Sequence, residues 1–184
     1  MELIGPYLIA CALLVVAGVA KALHPAGTAR ALAGMVPVRP GRLAVPVQVG
    51  SVAEVALGLV ALLVPRPVTA LAVAVTYGAF AVIVAGVRAR GGATASCGCF
   101  GATDTPATGL HVVIDMVLAA SAVAVAASSP SGTLVSVLGH QPMDGLPLVF
   151  LSGVGAWLCI LSMGRLADLR AARRLTAVSF GAAE

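Results

Sequence analysis

Two cysteines separated by a single glycine are the most chemically distinctive feature of the sequence, within Ser96-Cys97-Gly98-Cys99-Phe100-Gly101. Thiols at this spacing can close a small-ring disulfide, and Gly98 permits the unusual backbone angles that such a ring requires. A disulfide held away from relaxed geometry is easier to reduce, which makes it a competent oxidant. Pro106 opens the next predicted helix, and the positive end of that helix would lower the pKa of a nearby thiol. The pattern therefore predicts a redox-active pair.

Two other interpretations of this cysteine pair compete with the redox one. The pair could be two free thiols in a Gly-rich turn, or it could be half of a metal site. A zinc site needs two further Cys or His ligands, and only His111 is near in sequence, roughly three helical turns away along the chain. The redox interpretation is the preferred one, and no metal site is predicted.

Ionisable residues inside apolar segments form the second group of candidates. Glu54 lies near the middle of one such segment, and His111 and Asp115 lie four residues apart in another, on one helix face. Charges at membrane depth are costly, so each is by default a functional-site hypothesis. His111 and Asp115 would form a proton relay, and Lys21 could pair with Glu54. The alternatives are structural: the carboxyl groups would hold helices together, and Lys21 would extend its ammonium to the membrane interface.

Composition identifies the elements that must position these residues. The 184 residues are 60% hydrophobic and only 10% charged, with a mean hydropathy of +1.06. This excludes a water-soluble enzyme, a nucleic-acid binder and a secreted disulfide scaffold. A spanning helix needs about 20 apolar residues. Five segments meet that need: 3–23, 43–64, 67–87, 106–128 and 146–164. They predict an all-α polytopic membrane bundle with a four-helix core and a fifth C-terminal helix.

Charge distribution predicts the orientation of this bundle. With five crossings, the connecting residues 24–42 and 88–105 and the tail after 164 share one side of the membrane. Ten of the eleven Lys and Arg residues lie on that side, and only Arg66 lies on the other. The positive-inside rule then makes that side cytoplasmic and places the N-terminus outside. The predicted location is the plasma membrane, with the cysteine pair in a cytoplasmic loop; the opposite orientation is the alternative.

Taken together, three features resemble the methylamine utilisation protein MauE family, in the wider MauE/DoxX group of redox-associated membrane proteins. They are Gly18-x-x-Lys21, Glu54 in the second span, and Cys97-Gly98-Cys99-Phe100-Gly101 before the fourth. The resemblance covers residues 1 to about 128, so the four-helix bundle is assigned to 1–128. Residues 129–184 form a connecting loop, the fifth helix and a basic tail.

The resemblance implies a role in maturation or disulfide formation of an exported protein, the methylamine dehydrogenase small subunit in MauE itself, beside a thioredoxin-like partner. That role rests on Cys97 and Cys99, and it places the pair on the exported side, opposite to the charge distribution. A relay within one chain would need two cysteine pairs. Here there is one pair, together with two scattered thiols at Cys11 and Cys159 that are expected only to pack.

The leading hypothesis is an integral membrane thiol–disulfide component. Cys97 and Cys99 exchange disulfides with a thioredoxin-like protein, supported by Gly98, Phe100 and Gly101. His111 and Asp115 handle protons, while Lys21 and Glu54 shape a cavity. The sequence leaves open whether the chain turns over as a thiol:disulfide oxidoreductase or assists one. It indicates no cofactor, although a quinone is compatible with it, and its predicted surroundings are lipid bilayer and no nucleic acid. The competing hypothesis is a non-redox small transporter or membrane assembly subunit using Glu54 and Asp115.

Overall fold

The computed structural model describes residues 4–91, 108–128, 150–159 and 161, and these residues contain helices and no strand. This confirms the predicted all-α class. The helices are α1 Ile4–Leu23, α2 Pro25–Ala33, α3 Pro40–Leu63, α4 Pro67–Gly91, α5 Gly109–Ser128 and α6 Phe150–Cys159.

Four of these helices, α1, α3, α4 and α5, are long and apolar enough to cross a membrane. They are rich in Ala, Val and Gly, which would weaken a helix in water. In lipid the backbone has to satisfy its own hydrogen bonds, so the helix forms regardless of these propensities. Proline occupies the first position of α2, α3 and α4, where its missing N–H costs nothing and its fixed φ suits the first turn. Four of the five predicted spans are thereby confirmed as membrane-length helices.

The structure corrects the prediction for residues 24–42, which were expected only to connect two spans. They contain α2, a nine-residue helix that follows α1 after the single residue His24 and packs on α3. At about 1.5 Å per residue, α2 rises only about 14 Å, too little to cross a membrane. Two neighbouring helices are also longer than predicted, because α3 begins at Pro40 and α4 continues to Gly91.

Of the predicted fifth span, 146–164, the described part is the ten residues of α6 together with residue 161. Helix α6 packs against α1, where a side chain added at Gly155 would collide with Ile9. Ala156 joins the main apolar core. The fifth crossing stays a prediction.

Helices α1 and α3 approach each other through two reciprocal glycine contacts. A Cβ at Gly18 would lie 2.9 Å from the carbonyl oxygen of Ser51, and a Cβ at Gly58 would lie 2.9 Å from the carbonyl oxygen of Cys11. The pairing of early α1 with late α3 makes the helices antiparallel. Small residues permit such close approach in membrane bundles. One turn beyond Gly18, this register brings Lys21 beside α3.

The main core lies between α1, α4 and α5. It contains two tyrosines whose hydroxyl groups each donate a hydrogen bond to a backbone carbonyl. Tyr7 donates to the carbonyl of Ala61 at 3.3 Å, and Tyr77 donates to the carbonyl of Ala10 at 2.7 Å. Hydroxyl groups buried among apolar helices need such partners. Cys11 is fully buried in this core, as its predicted packing role requires. The Tyr77 bond fixes α4 against α1 and so sets the position of the following turn of α4.

Candidate functional site

Lys21 and Glu54 form an ion pair inside the bundle. The Lys21 side chain is 6% exposed and the Glu54 side chain 18%, so both groups are largely removed from solvent. The glycine contact at Gly18 brings α1 close enough to α3 for the two side chains to meet. The predicted pairing is confirmed, whereas the expectation that Lys21 extends to the membrane interface is wrong. A buried carboxylate compensates the ammonium charge where it lies.

Phe80 of α4 gives the Lys21 ammonium a second contact. The ammonium nitrogen lies 4.3 Å from the centroid of the Phe80 ring, within the range of a cation–π interaction. Phe80 is in turn oriented by Tyr77, whose ring meets it edge to face at 5.8 Å and 86°. The cation is therefore held between a carboxylate from α3 and an aromatic face from α4.

His111 lies in the first turn of α5 and is 2% exposed. Its Nδ1 is hydrogen-bonded to Oγ1 of Thr108 at 2.8 Å. Its Nε2 is buried and has no hydrogen-bond partner among the residues that the structure describes. Asp115 follows one turn later and is 7% exposed. The predicted face shared by His111 and Asp115 is present, but the partner of Nδ1 is Thr108.

Thr108 is a site residue that the sequence analysis missed. It stands immediately before α5, at the N-cap position, where Thr is a favoured residue. From there its side chain reaches the ring of the residue three positions on. A Thr three residues before a buried His, at a predicted helix start, is the signal that would have found it.

A cavity of about 290 Å³ joins these groups. The four ionisable candidates within the helices and two aromatic residues border it: Lys21, Glu54, His111, Asp115, Tyr77 and Phe80. The remaining wall of the cavity is mainly aliphatic. The structure thus brings together on one cavity residues from α1, α3, α4 and α5. Their arrangement can bind a small ligand or move protons.

Helix α2 supplies part of the cavity wall through Thr28, Ala31 and Leu32. Its C-terminal end is fixed to α4, where Arg90 donates from Nη1 to the carbonyl of Met35 at 3.1 Å. The helix that the sequence analysis missed therefore contributes to the candidate site.

Comparison with known protein families finds a match over most of the chain. The model of the family "Methylamine utilisation protein MauE" matches residues 2–128, which include α1 to α5 and the cysteine pair. The chain belongs to the MauE family. This confirms the resemblance and makes this MauE-family chain a membrane protein linked to methylamine utilisation. No curated protein and no solved structure matches it.

The predicted redox residues of this MauE-family chain, Cys97, Gly98, Cys99, Phe100 and Gly101, lie outside the described residues. The helices on either side of them are described. The end of α4 meets the start of α5, since a side chain at Gly109 would collide with the guanidinium of Arg88. The segment with the cysteine pair thus joins two adjacent helix ends at the end of the bundle where His111 lies.

Within the described residues, no three His, Cys, Asp or Glu side chains are grouped so that they could hold a metal ion. The two thiols described there belong to Cys11 and Cys159, on α1 and α6. Cys11 is buried and Cys159 is half-buried. In the described residues the candidate site is therefore the cavity, with the Lys21–Glu54 ion pair, His111 and Asp115 as its main polar groups.

Proposed function

We propose that this MauE-family chain is a membrane thiol–disulfide component that assists disulfide formation or maturation of a partner protein through Cys97 and Cys99. The observation that carries the proposal is the family match, which extends over both cysteines. The supporting geometry is the cavity beside His111, at the end of the bundle where α4 and α5 meet. The proposal covers both a chain that turns over as an oxidoreductase and one that assists such an enzyme.

Thiol–disulfide exchange between the two proteins transfers the disulfide from this chain to its partner. A thiolate of a thioredoxin-like partner attacks the Cys97–Cys99 disulfide and forms a mixed disulfide, and the second partner thiolate then resolves it. The partner becomes oxidised and the Cys97 and Cys99 thiols are regenerated. The two protons that these thiols need come from the partner's own thiols, and His111 and Asp115 are the nearest groups proposed to move them. Lys21 and Glu54 maintain the cavity behind them.

Cysteine substitution and thiol trapping in intact cells test this function. Cys97→Ser and Cys99→Ser should each abolish it, and one of them should accumulate a mixed disulfide with the partner, because no second thiol resolves the adduct. Cys11→Ala and Cys159→Ala are the matched controls, and they should retain function because these thiols lie within helices α1 and α6. Full activity of the Cys97→Ser, Cys99→Ser double variant would show that the redox assignment is wrong.

A second function, a non-redox transporter or membrane assembly subunit, is favoured by the cavity itself. Glu54 and Asp115 both border it, and a buried carboxyl at membrane depth is typical of ion and substrate pathways. This function predicts that Glu54→Gln abolishes activity while the double cysteine variant stays active. The thiol–disulfide function predicts that the cysteine variants fail first.

A further inference from the structure

The cavity between α1, α3, α4 and α5 has side chains that select against a charged ligand. The one Lys or Arg among the described residues that line it, Lys21, is already neutralised by Glu54 and covered by the Phe80 ring. An added ammonium group would find the Glu54 carboxylate and the Phe80 ring already occupied, and the second carboxylate of the wall, Asp115, also has an interaction within the protein. An added anion would face Asp115 on the same wall. The remaining wall is mainly aliphatic, so the cavity suits a neutral, largely apolar molecule that partitions into the bilayer.

Two buried side-chain atoms of the cavity wall have no hydrogen-bond partner among the described residues, and only one of them, Glu54 Oε2, is compensated by an ion pair; the other is His111 Nε2. Ser51 donates to the carbonyl of Val47 at 2.7 Å, and the Tyr77 hydroxyl donates to the carbonyl of Ala10. His111 Nε2, by contrast, has no partner among the described residues although the side chain is 2% exposed. Buried polar groups in native proteins are nearly always paired, with protein, water or ligand. A ligand in this cavity should therefore carry a group that hydrogen-bonds to Nε2.

The Thr108 contact allows that group to be either an acceptor or a donor. A Thr hydroxyl can donate to His111 Nδ1, which leaves the proton on Nε2, or accept from Nδ1, which leaves Nε2 as an acceptor. The site is therefore suited to a molecule that alternates between the two roles. The carbonyl oxygen of a quinone accepts, and the hydroxyl of the corresponding quinol donates.

The volume of the cavity and the residues of its wall both suit a ligand with a single ring. A volume of about 290 Å³ is roughly twice the 150 Å³ or so of an apolar cavity that binds benzene, enough for one substituted ring. The Tyr77 and Phe80 rings border this space and offer edge or face contacts to a flat π-system.

We propose that this cavity binds the ring of a membrane-soluble quinone, with His111 Nε2 hydrogen-bonded to one ring oxygen. The link to electron transfer rests on the proposed function. Oxidation of Cys97 and Cys99 to a disulfide releases two electrons and two protons, and reduction of one quinone to its quinol takes up both. The quinone would thus regenerate the disulfide that the partner protein consumes.

Binding of decylubiquinone to the purified full chain in phosphatidylcholine nanodiscs tests the site. We expect saturable binding of one molecule per chain, measured by equilibrium dialysis. His111→Leu should weaken it between about twofold and tenfold, the value of one hydrogen bond, and His111→Gln should restore part of the loss. His24→Leu is the matched control, because His24 is exposed in the turn between α1 and α2, and it should bind as the wild type does.

Two further measurements make the outcome independent of how well the His111 variants fold. Ala31→Phe fills the cavity from α2 and should abolish binding. Decylbenzene, which lacks ring oxygens, should bind more weakly than decylubiquinone. Equal binding of the two probes, or unchanged decylubiquinone binding in Ala31→Phe, would overturn the proposal.

The cysteine double variant separates this proposal from the proposed function. Cys97→Ser, Cys99→Ser should bind decylubiquinone with wild-type affinity, because the site lies among the helices. Binding without any thiol activity in the wild-type chain would support the site and reject the thiol–disulfide function. Thiol activity without decylubiquinone binding would reject the site and leave that function standing.

Discussion

Substituting Lys21 and Glu54, singly and together, tests whether the ion pair stabilises the bundle. Lys21→Met keeps the apolar length of the side chain, and Glu54→Gln keeps its shape, so each removes mainly charge. The two side chains are 6% and 18% exposed, which makes the pair a buried one. Removing one partner of a buried pair leaves the other charge uncompensated and costs about 3–5 kcal/mol. We expect Lys21→Met to lower the free energy of unfolding by an amount in this range.

Glu54→Gln should cost less than Lys21→Met. The Lys21 ammonium would keep its contact with the Phe80 ring, 4.3 Å away, and such a contact is worth about 0.5–2 kcal/mol. The glutamine oxygen can also accept a hydrogen bond from the ammonium. The double variant carries no uncompensated charge, so it should lie within about 1 kcal/mol of the wild type and be more stable than either single variant.

Equilibrium unfolding in mixed micelles, followed by far-UV circular dichroism against the mole fraction of denaturing detergent, measures these differences. The double-mutant cycle gives the coupling energy directly. Strictly additive effects, with the double variant as unstable as the sum of the singles, would refute the reasoning that the two charges compensate each other.

Three other predictions concern packing, hydrogen bonding and orientation. Gly18→Val should destabilise the bundle by about 1–3 kcal/mol through collision with α3, whereas Gly50→Ala, with open space around it, should be nearly neutral; equal thermal stabilities would contradict the close helix approach. Tyr77→Phe should cost about 0.5–1.5 kcal/mol by removing the hydrogen bond from the hydroxyl to the Ala10 carbonyl, and an unchanged unfolding transition would argue against that bond. A membrane-impermeant maleimide should label Cys99 only after permeabilisation, and rapid labelling of intact, reduced cells would reverse the orientation.

Hydropathy and the rarity of charge in lipid made much of this molecule predictable. The four long helices follow from apolar runs of membrane length, and the Lys21–Glu54 pair follows from the cost of leaving either charge alone. The burial of Lys21 could not be predicted in the same way. Its distance from the helix end suggested an interfacial ammonium, and only the glycine contact at Gly18 brings α3 close enough to hold it inside.

Features that depend on tertiary contacts could not be predicted from the sequence. Helix α2 is short and carries Arg30, so its sequence looks like a connecting loop until its packing on α3 is known. The partner of His111 was assigned to Asp115 from helical spacing. The structure instead places the hydroxyl of Thr108, the residue before α5, at 2.8 Å from Nδ1 of the ring.

The reciprocal glycine contacts have a consequence for biogenesis. At the centre of a single inserted helix, an unpaired charge costs about 2.5–3.5 kcal/mol, which disfavours α3 entering lipid alone with Glu54 ionised. The register of Gly18 and Gly58 lets the two helices associate as an antiparallel hairpin in which Lys21 already neutralises that carboxylate. Insertion of the first two spans together is thereby favoured, because the Lys21 and Glu54 charges inside the bundle compensate each other. If the contact register between the two helices changed by one residue, Glu54 would be rotated by about 100° about the α3 axis and would face lipid.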